Sequence, residues 1–220
     1  QVPDSENQVF TDSQYFLFKN LSSSLKYSFS GPTSMGKSFI IKAFIRKVIK
    51  NVPPENLVVI VPTRALINQF TLDLKSELSD ILELYKYKIA TNSNISDLLT
   101  EEVFNYILIL TPERLISYLS QKSNPTIGFL FVDEAHKLAQ EKDSRSITTY
   151  SAIERTLNKF GNVKLYFSSP NVSNPEVFLN LFDKQNIGNY YKTDESPVSQ
   201  NLYFIDIINE NRNKQIVLKF

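Results

Sequence analysis

Apolar residues gather in short runs along the chain. Residues 27–30, 57–61, 87–90, 106–110, 129–132 and 164–167 are brief, apolar and rich in β-formers, which predicts buried strands. Between them the apolar positions take up helical spacing. Ile40, Phe44 and Val48 form one such set, Leu115, Ile116 and Leu119 a second, and Ile147, Tyr150, Ile153, Leu157 and Phe160 a third; each predicts a helix with one buried stripe. Strands apolar on both faces, alternating with amphipathic helices, predict an α/β fold. The expected form is a mostly parallel sheet with helices on both faces, joined by right-handed crossovers. Ligands of such sheets sit at the carboxyl ends of the strands, so the residues after each strand are where chemistry is expected.

Two polar stretches break the alternation, at 140–146 and 188–200. The second reads as a linker, 201–208 as a further strand and 209–213 as a polar turn. The expected division is one domain over 1–186, and over 187–220 a linker and the first strand toward a second domain. No internal repeat or low-complexity tract is present.

A chain of 220 residues buries one substantial core. With 42% hydrophobic and 21% charged residues it reads as a soluble globular protein, and no stretch approaches the roughly 18 apolar residues of a membrane helix. The absence of cysteine excludes disulfides and thiolate zinc sites, and His136, the one histidine, cannot build a histidine metal cluster. A cytoplasmic location is expected. Gln1-Val2-Pro3-Asp4 stands where a methionine would open a chain, with no basic-then-apolar leader, so an internal fragment is expected. The formal net charge of +1 supplies no field to hold nucleic acid, so such binding would need individually placed groups.

Gly31-Pro32-Thr33-Ser34-Met35-Gly36-Lys37-Ser38 lies between a predicted strand and an amphipathic helix, the setting a phosphate-binding GxxxxGK[ST] loop requires. Glycine lets the backbone wrap closely enough for N–H groups to face phosphate oxygens at a helix N-terminus that already favours anions. Lys37 is expected to reach the β and γ phosphates of ATP. Ser38 is expected to offer its hydroxyl to Mg²⁺. Farther on, the apolar run 129–132 delivers Asp133-Glu134-Ala135-His136. Alone, an acidic pair after a strand also suits a helix start; with the phosphate loop upstream it reads as a Walker B strand. Asp133 would then hold the metal, and Glu134 would orient and deprotonate the attacking water. His136 is placed to sense the γ-phosphate or to bond a neighbouring motif.

With both motifs in hand, the chain resembles the DEAD/DEAH-box helicases of superfamily 2, in their first, RecA-like domain. Val61-Pro62-Thr63-Arg64-Ala65-Leu66 with Gln69 is similar to motif Ia, and Thr111-Pro112-Glu113-Arg114 to motif Ib. The resemblance implies contacts from Thr63, Arg64 and Thr111 to the backbone of single-stranded nucleic acid, with Arg114 a further candidate. Singly, each segment also reads as ordinary helix capping. Phe10-Thr11-Asp12-Ser13-Gln14 stands where the family places its adenine-reading glutamine. A carboxamide donates and accepts at once, which suits the N6 and N7 edge of adenine. The other reading of Gln14 is an exposed residue near a helix start. Phe167-Ser168-Ser169-Pro170, followed by Ser173-Asn174-Pro175, looks like motif III, usually Ser-Ala-Thr, with the tail seen in the superkiller-type and archaeal repair branch. It implies that Ser168 and Ser169 couple the two sides of the motor.

The likeness spans residues 14 to about 182, with departures. Pro170 replaces a threonine hydroxyl, residues 91–95 lack the glycine of a frequent backbone contact, and Gly31 and Ser38 stand for the commoner alanine and threonine. What the resemblance implies is an ATP- and Mg²⁺-dependent helicase or translocase completed by a second RecA-like domain of the same chain, this part alone being nearly inactive. Two other readings stay open: an ATP-gated nucleic-acid-binding scaffold, which Pro170 permits, and a translocase that does not unwind. DNA and RNA are not distinguished.

Overall fold

The computed structural model describes residues 2, 9–95, 104–139, 144–182 and 188–195, and the backbone alone of 204–210 and 213–219. The described elements are α1 (Asp12–Ser23), β1 (Lys26–Gly31), α2 (Lys37–Ile49), β2 (Leu57–Ile60), α3 (Arg64–Leu82), β3 (Tyr87–Ala90), β4 (Asn105–Leu110), α4 (Pro112–Ser120), β5 (Phe129–Val132), α5 (Ser144–Lys159), β6 (Lys164–Pro170), α6 (Glu176–Phe182), β7 (Asn189–Lys192), β8 (Phe204–Glu210) and β9 (Asn213–Lys219).

Seven strands form one sheet in the order β3-β4-β2-β5-β6-β1-β7, and every pairing in it is parallel. All six predicted apolar runs are strands of this sheet. Their alternate residues face opposite layers, as the period of two demands. Phe29, Val59, Ile107, Phe131 and Tyr166 pack under α1, α2 and α3 with Leu17, Phe44 and Leu74. Val58, Leu108, Leu130, Leu165 and Phe167 face α4, α5 and α6 with Leu115, Ile153 and Phe178. Aromatic contacts fill the first layer: the Phe44 ring lies 5.1 Å from that of Tyr166 at 70°, an edge-on approach that suits the ring quadrupoles. Each such side chain contributes about 1.5–3 kcal/mol of burial, so the strand ends stand on a rigid platform.

Three expectations are corrected. Residues 189–192, read as part of a linker, form β7, which pairs in parallel along β1 from Tyr27↔Asn189 to Ser30↔Lys192. As an edge strand β7 needs no apolar run, and three of its four residues are exposed. The strand expected at 201–208 is present as β8 from Phe204, but residues 209, 210 and 213, expected in a polar turn, belong to the two strands of an antiparallel hairpin, β8 to Glu210 and β9 from Asn213. In α5 the expected stripe holds only in its second half: Ile153 is buried, while Ile147 is 73% exposed. The polar stretch 140–146 lies in part outside the described residues; its last three open α5.

The strand order divides the carboxyl edge. The loops after β1, β6 and β5 stand side by side, and those after β2, β4 and β3 form the neighbouring group.

Candidate functional site

The phosphate loop starts where β1 ends. A single 3-10 turn, Thr33–Met35, leads to Gly36, whose φ of 79° and ψ of 37° lie in the left-handed region, the conformation glycine adopts without strain. Gly36 is also the N-cap of α2 and supplies no side-chain cap, which leaves amide donors and the positive end of the helix dipole facing the loop. Lys37 is buried. Its Nζ donates to the carbonyl oxygens of Gly31 at 2.9 Å and Pro32 at 3.0 Å. Burial pulls its pKa below that of an ordinary lysine, against the opposing pull of the Glu134 and Asp133 carboxylates. Thr33, Gly36, Lys37, Ser38, Asp133 and Glu134 line one cleft of about 230 Å³.

Asp133 leaves β5 with its N–H on the carbonyl of Ile60, 3.0 Å away. Its carboxylate accepts the Ser168 hydroxyl at 2.8 Å. Desolvation raises the pKa of Asp133, and the bond from Ser168 acts in the opposite direction. Glu134 follows with φ at 55°, a left-handed conformation that costs a side-chain-bearing residue about 1–2 kcal/mol. Such strain held at a cleft is a mark of functional sites. His136, on the 3-10 turn Ala135–Ala139, has Nδ1 3.4 Å from a Glu134 carboxylate oxygen but buried without a hydrogen-bond partner. Among the described residues no group of three or more His, Cys, Asp or Glu could hold a metal by itself. The oxygen donors that share the cleft, the Ser38 hydroxyl and the Asp133 carboxylate, are of the kind Mg²⁺ takes, with phosphate and water completing its shell.

Ser168 and Ser169 are fully buried, the second donating to the Phe29 carbonyl at 3.4 Å. The segment after them is held to β1. Asn171 N–H reaches the Gly31 carbonyl at 3.3 Å, Val172 N–H the Ser30 hydroxyl at 2.6 Å, and the Ser28 hydroxyl donates to the Pro175 carbonyl at 2.6 Å. The Gly31 carbonyl is thus shared by Lys37 and Asn171. Sequence reasoning passed over Ser28 and Ser30; the available signal was two hydroxyls inside a strand otherwise built for burial.

Gln14 is buried rather than exposed. Its Oε1 accepts the Thr11 N–H at 3.0 Å, closing a capping box with the Thr11 hydroxyl, and its Nε2 donates to the Met35 carbonyl of the phosphate loop at 2.9 Å. The carboxamide keeps one N–H and one lone pair for a ligand.

On the neighbouring strand ends, Thr63 caps α3 by accepting the Leu66 N–H at 3.3 Å, and Thr111 caps α4 by accepting the Arg114 N–H at 3.5 Å. The capping reading therefore applies to both, and each hydroxyl retains its own proton for donation. Arg64 is exposed. Arg114 donates to the Thr91 carbonyl at 2.8 Å, and Asn124 donates to the Ser93 carbonyl at 2.7 Å, so α4 and the loop after it shape the glycine-free segment 91–95. A larger hollow of about 880 Å³ opens at the opposite, amino ends of β1 and β6, between Lys26, Tyr150, Lys164 and Phe182; it contains none of the candidate residues.

A parallel sheet with a glycine-lysine phosphate loop after one strand and an acidic pair two strands away defines a RecA-like P-loop nucleotide-binding domain. The family model described as DEAD/DEAH box helicase matches residues 11–169, and the chain belongs to that family of nucleic-acid helicases and ATPases. Among solved structures it is similar to the DEAD-box helicase Mss116 bound to ssRNA and UDP-BeF, with TM-score 0.67 and 20% identity over 83% of this chain and 40% of that one. It is also similar to the UvsW helicase from bacteriophage T4, with TM-score 0.55 and 16% identity over 88% and 64%. A third likeness is the DUF1998 helicase MrfA, with TM-score 0.57 and 19% identity over 86% and 31%. The chain thus spans less than two thirds of each of these structures. No curated protein matches it in sequence. Among the described residues no helix is long and apolar enough to cross a membrane.

Proposed function

We propose that this chain is the ATP-binding half of a helicase or translocase that hydrolyses ATP to move on single-stranded nucleic acid. The observation that carries the reading is that Lys37, Ser38, Asp133 and Glu134, from two separated loops, line one cleft while Ser168 ties Asp133 to the next strand. Lys37 binds the β and γ phosphates after leaving the carbonyls of Gly31 and Pro32. The loop amides from Thr33 to Gly36 bind phosphate oxygens, and Gln14 reads the adenine edge. Ser38 and Asp133 hold Mg²⁺, which when bound neutralises phosphate charge. Glu134 orients the water and takes its proton, and His136 lies beside it as a sensor of the γ-phosphate side. Thr63, Arg64, Thr111 and Arg114 line the strand track, with Ser168 and Ser169 between the two halves of the edge.

Support for the nucleic-acid half is the family membership, the single-stranded RNA in the Mss116 structure and the adjacency of β2 and β4. An arginine from a second RecA-like domain completes such ATP sites at a gain of orders of magnitude in rate, so this chain alone is expected to bind Mg·ATP weakly and turn it over slowly. The scaffold reading rests on Pro170, which removes one coupling hydroxyl; the Glu134 carboxylate in the cleft favours the motor. Fluorescence polarisation with a labelled single-stranded RNA and a DNA of the same sequence tests the track. Arg64→Ala is expected to weaken binding of both about threefold and to reduce the salt dependence, whereas unchanged affinity and salt slope would remove Arg64 from it.

A further inference from the structure

The stretch after β7 leaves the sheet beside the phosphate loop and crosses to the start of α1. Thr193 N–H bonds the Ser30 carbonyl at 3.1 Å. The Thr193 side chain is buried against Gly31, where a side-chain carbon would meet it at 3.3 Å. Two residues on, the Glu195 carboxylate accepts the hydroxyl of Ser13, the residue just before Gln14. The Tyr191 ring of β7 lies 5.0 Å from that of Phe16, in the next half-turn of α1. One short segment therefore touches both supports of the Gln14 side chain, the helix start that carries it and the loop whose Met35 carbonyl it bonds.

We infer that Glu195, together with Ser13, is a positioning residue for base selection: by clamping the first turn of α1 it fixes the direction in which Gln14 presents its remaining N–H and lone pair to a purine. The inference rests on the reading of Gln14 as the adenine-binding group. Direction is what separates the purines here. Adenine offers a donor and an acceptor to a carboxamide, guanine two acceptors, so a carboxamide free to rotate discriminates less than one held in a single orientation. Glu195 is exposed and touches neither the nucleotide cleft nor the buried core, so its removal is not expected to unfold the chain.

Titrations of the chain with mant-ATP and mant-GTP, alongside thermal melts, test this. The ATP-to-GTP affinity ratio is expected to fall about fivefold in Glu195→Ala, the size of one net hydrogen bond. Ser13→Ala is expected to match it, and the double variant to be no worse, because the two residues share one interaction. Glu195→Gln should keep the ratio, since its amide oxygen still accepts the Ser13 hydroxyl. A merely structural role would lower both affinities in proportion, and a ratio unchanged in Glu195→Ala would overturn the inference. Gln14→Ala separates the two levels. If it abolishes the preference while Glu195→Ala preserves it, the clamp alone fails; if Gln14→Ala also leaves the preference intact, the base reading fails and the clamp with it.

Discussion

Ser168, on β6, donates its hydroxyl to the carboxylate of Asp133, at the end of β5, across 2.8 Å. The bond joins two neighbouring strands at the point where the phosphate loop meets the acidic pair. It also sets the charge of a group that burial pushes toward neutrality. A hydrogen bond to the ionised form favours that form, so the serine keeps Asp133 available to a cation.

Ser168→Ala should therefore raise the Asp133 pKa further. Because Mg²⁺ needs the ionised carboxylate, the midpoint of Mg²⁺-dependent nucleotide binding against pH is expected to move upward in this variant. Binding of a fluorescent ATP analogue across a pH series measures it; an unmoved midpoint would separate Ser168 from the metal site.

The same shift has a stability consequence. A carboxyl whose folded pKa is raised contributes stability that is fully present below its unfolded pKa, near 4, and lost as pH rises through the folded value. Ionising Asp133 therefore weakens the ligand-free fold. The melting temperature of Asp133→Asn relative to the native chain is expected to rise with pH and to fall back as pH drops toward the ordinary carboxylate range. Thermal melts over this window check the sign.

Glu134 holds a left-handed backbone, so two substitutions separate strain from chemistry. Glu134→Gly should raise stability by about 1 kcal/mol relative to Glu134→Gln, which keeps the strained conformation. Both should bind nucleotide and lose whatever hydrolysis the chain performs, by about two orders of magnitude or more. Urea titration and phosphate release read the two effects. Equal stability of the two variants would mean that the turn imposes no strain.

Far from the cleft, Arg46 on α2 grips Asp80 on α3 with both arms, at 2.7 and 3.0 Å. The Arg46 hydrogen bond lowers the Asp80 pKa; the stability it adds is present above the unfolded carboxylate value and lost as pH falls through the folded one. Because the Asp80 side chain is 58% exposed, Arg46→Ala should cost below about 1 kcal/mol at pH 7, and less in acid.

The sheet was legible because its central strands are buried on both faces and so read as continuous apolar runs; residues 57–60 and 129–132 needed no partner to be recognised. β7 was not, since an edge strand with only Tyr191 turned partly inward has no such signature. Ile147 misled for the opposite reason: helical spacing marks a stripe but not how far along the helix the neighbouring layer extends. Lys37, Asp133 and Glu134 were legible as types and spacings. What spacing could not show was their present partners: Lys37 on its own loop carbonyls, Gln14 between Thr11 and Met35, and the hydroxyls of Ser28 and Ser30 binding the segment after Pro170. Those are long-range contacts, made only once β1 and β6 lie side by side.

The central claim is that the loop from Gly31 to Ser38 binds the phosphates of Mg·ATP through Lys37, and titration of the chain with mant-ATP, with and without Mg²⁺ and beside Lys37→Ala, tests it most directly. Saturable, Mg²⁺-dependent binding that disappears in Lys37→Ala is the expected result; equal binding by both proteins, or binding indifferent to Mg²⁺, would contradict the account.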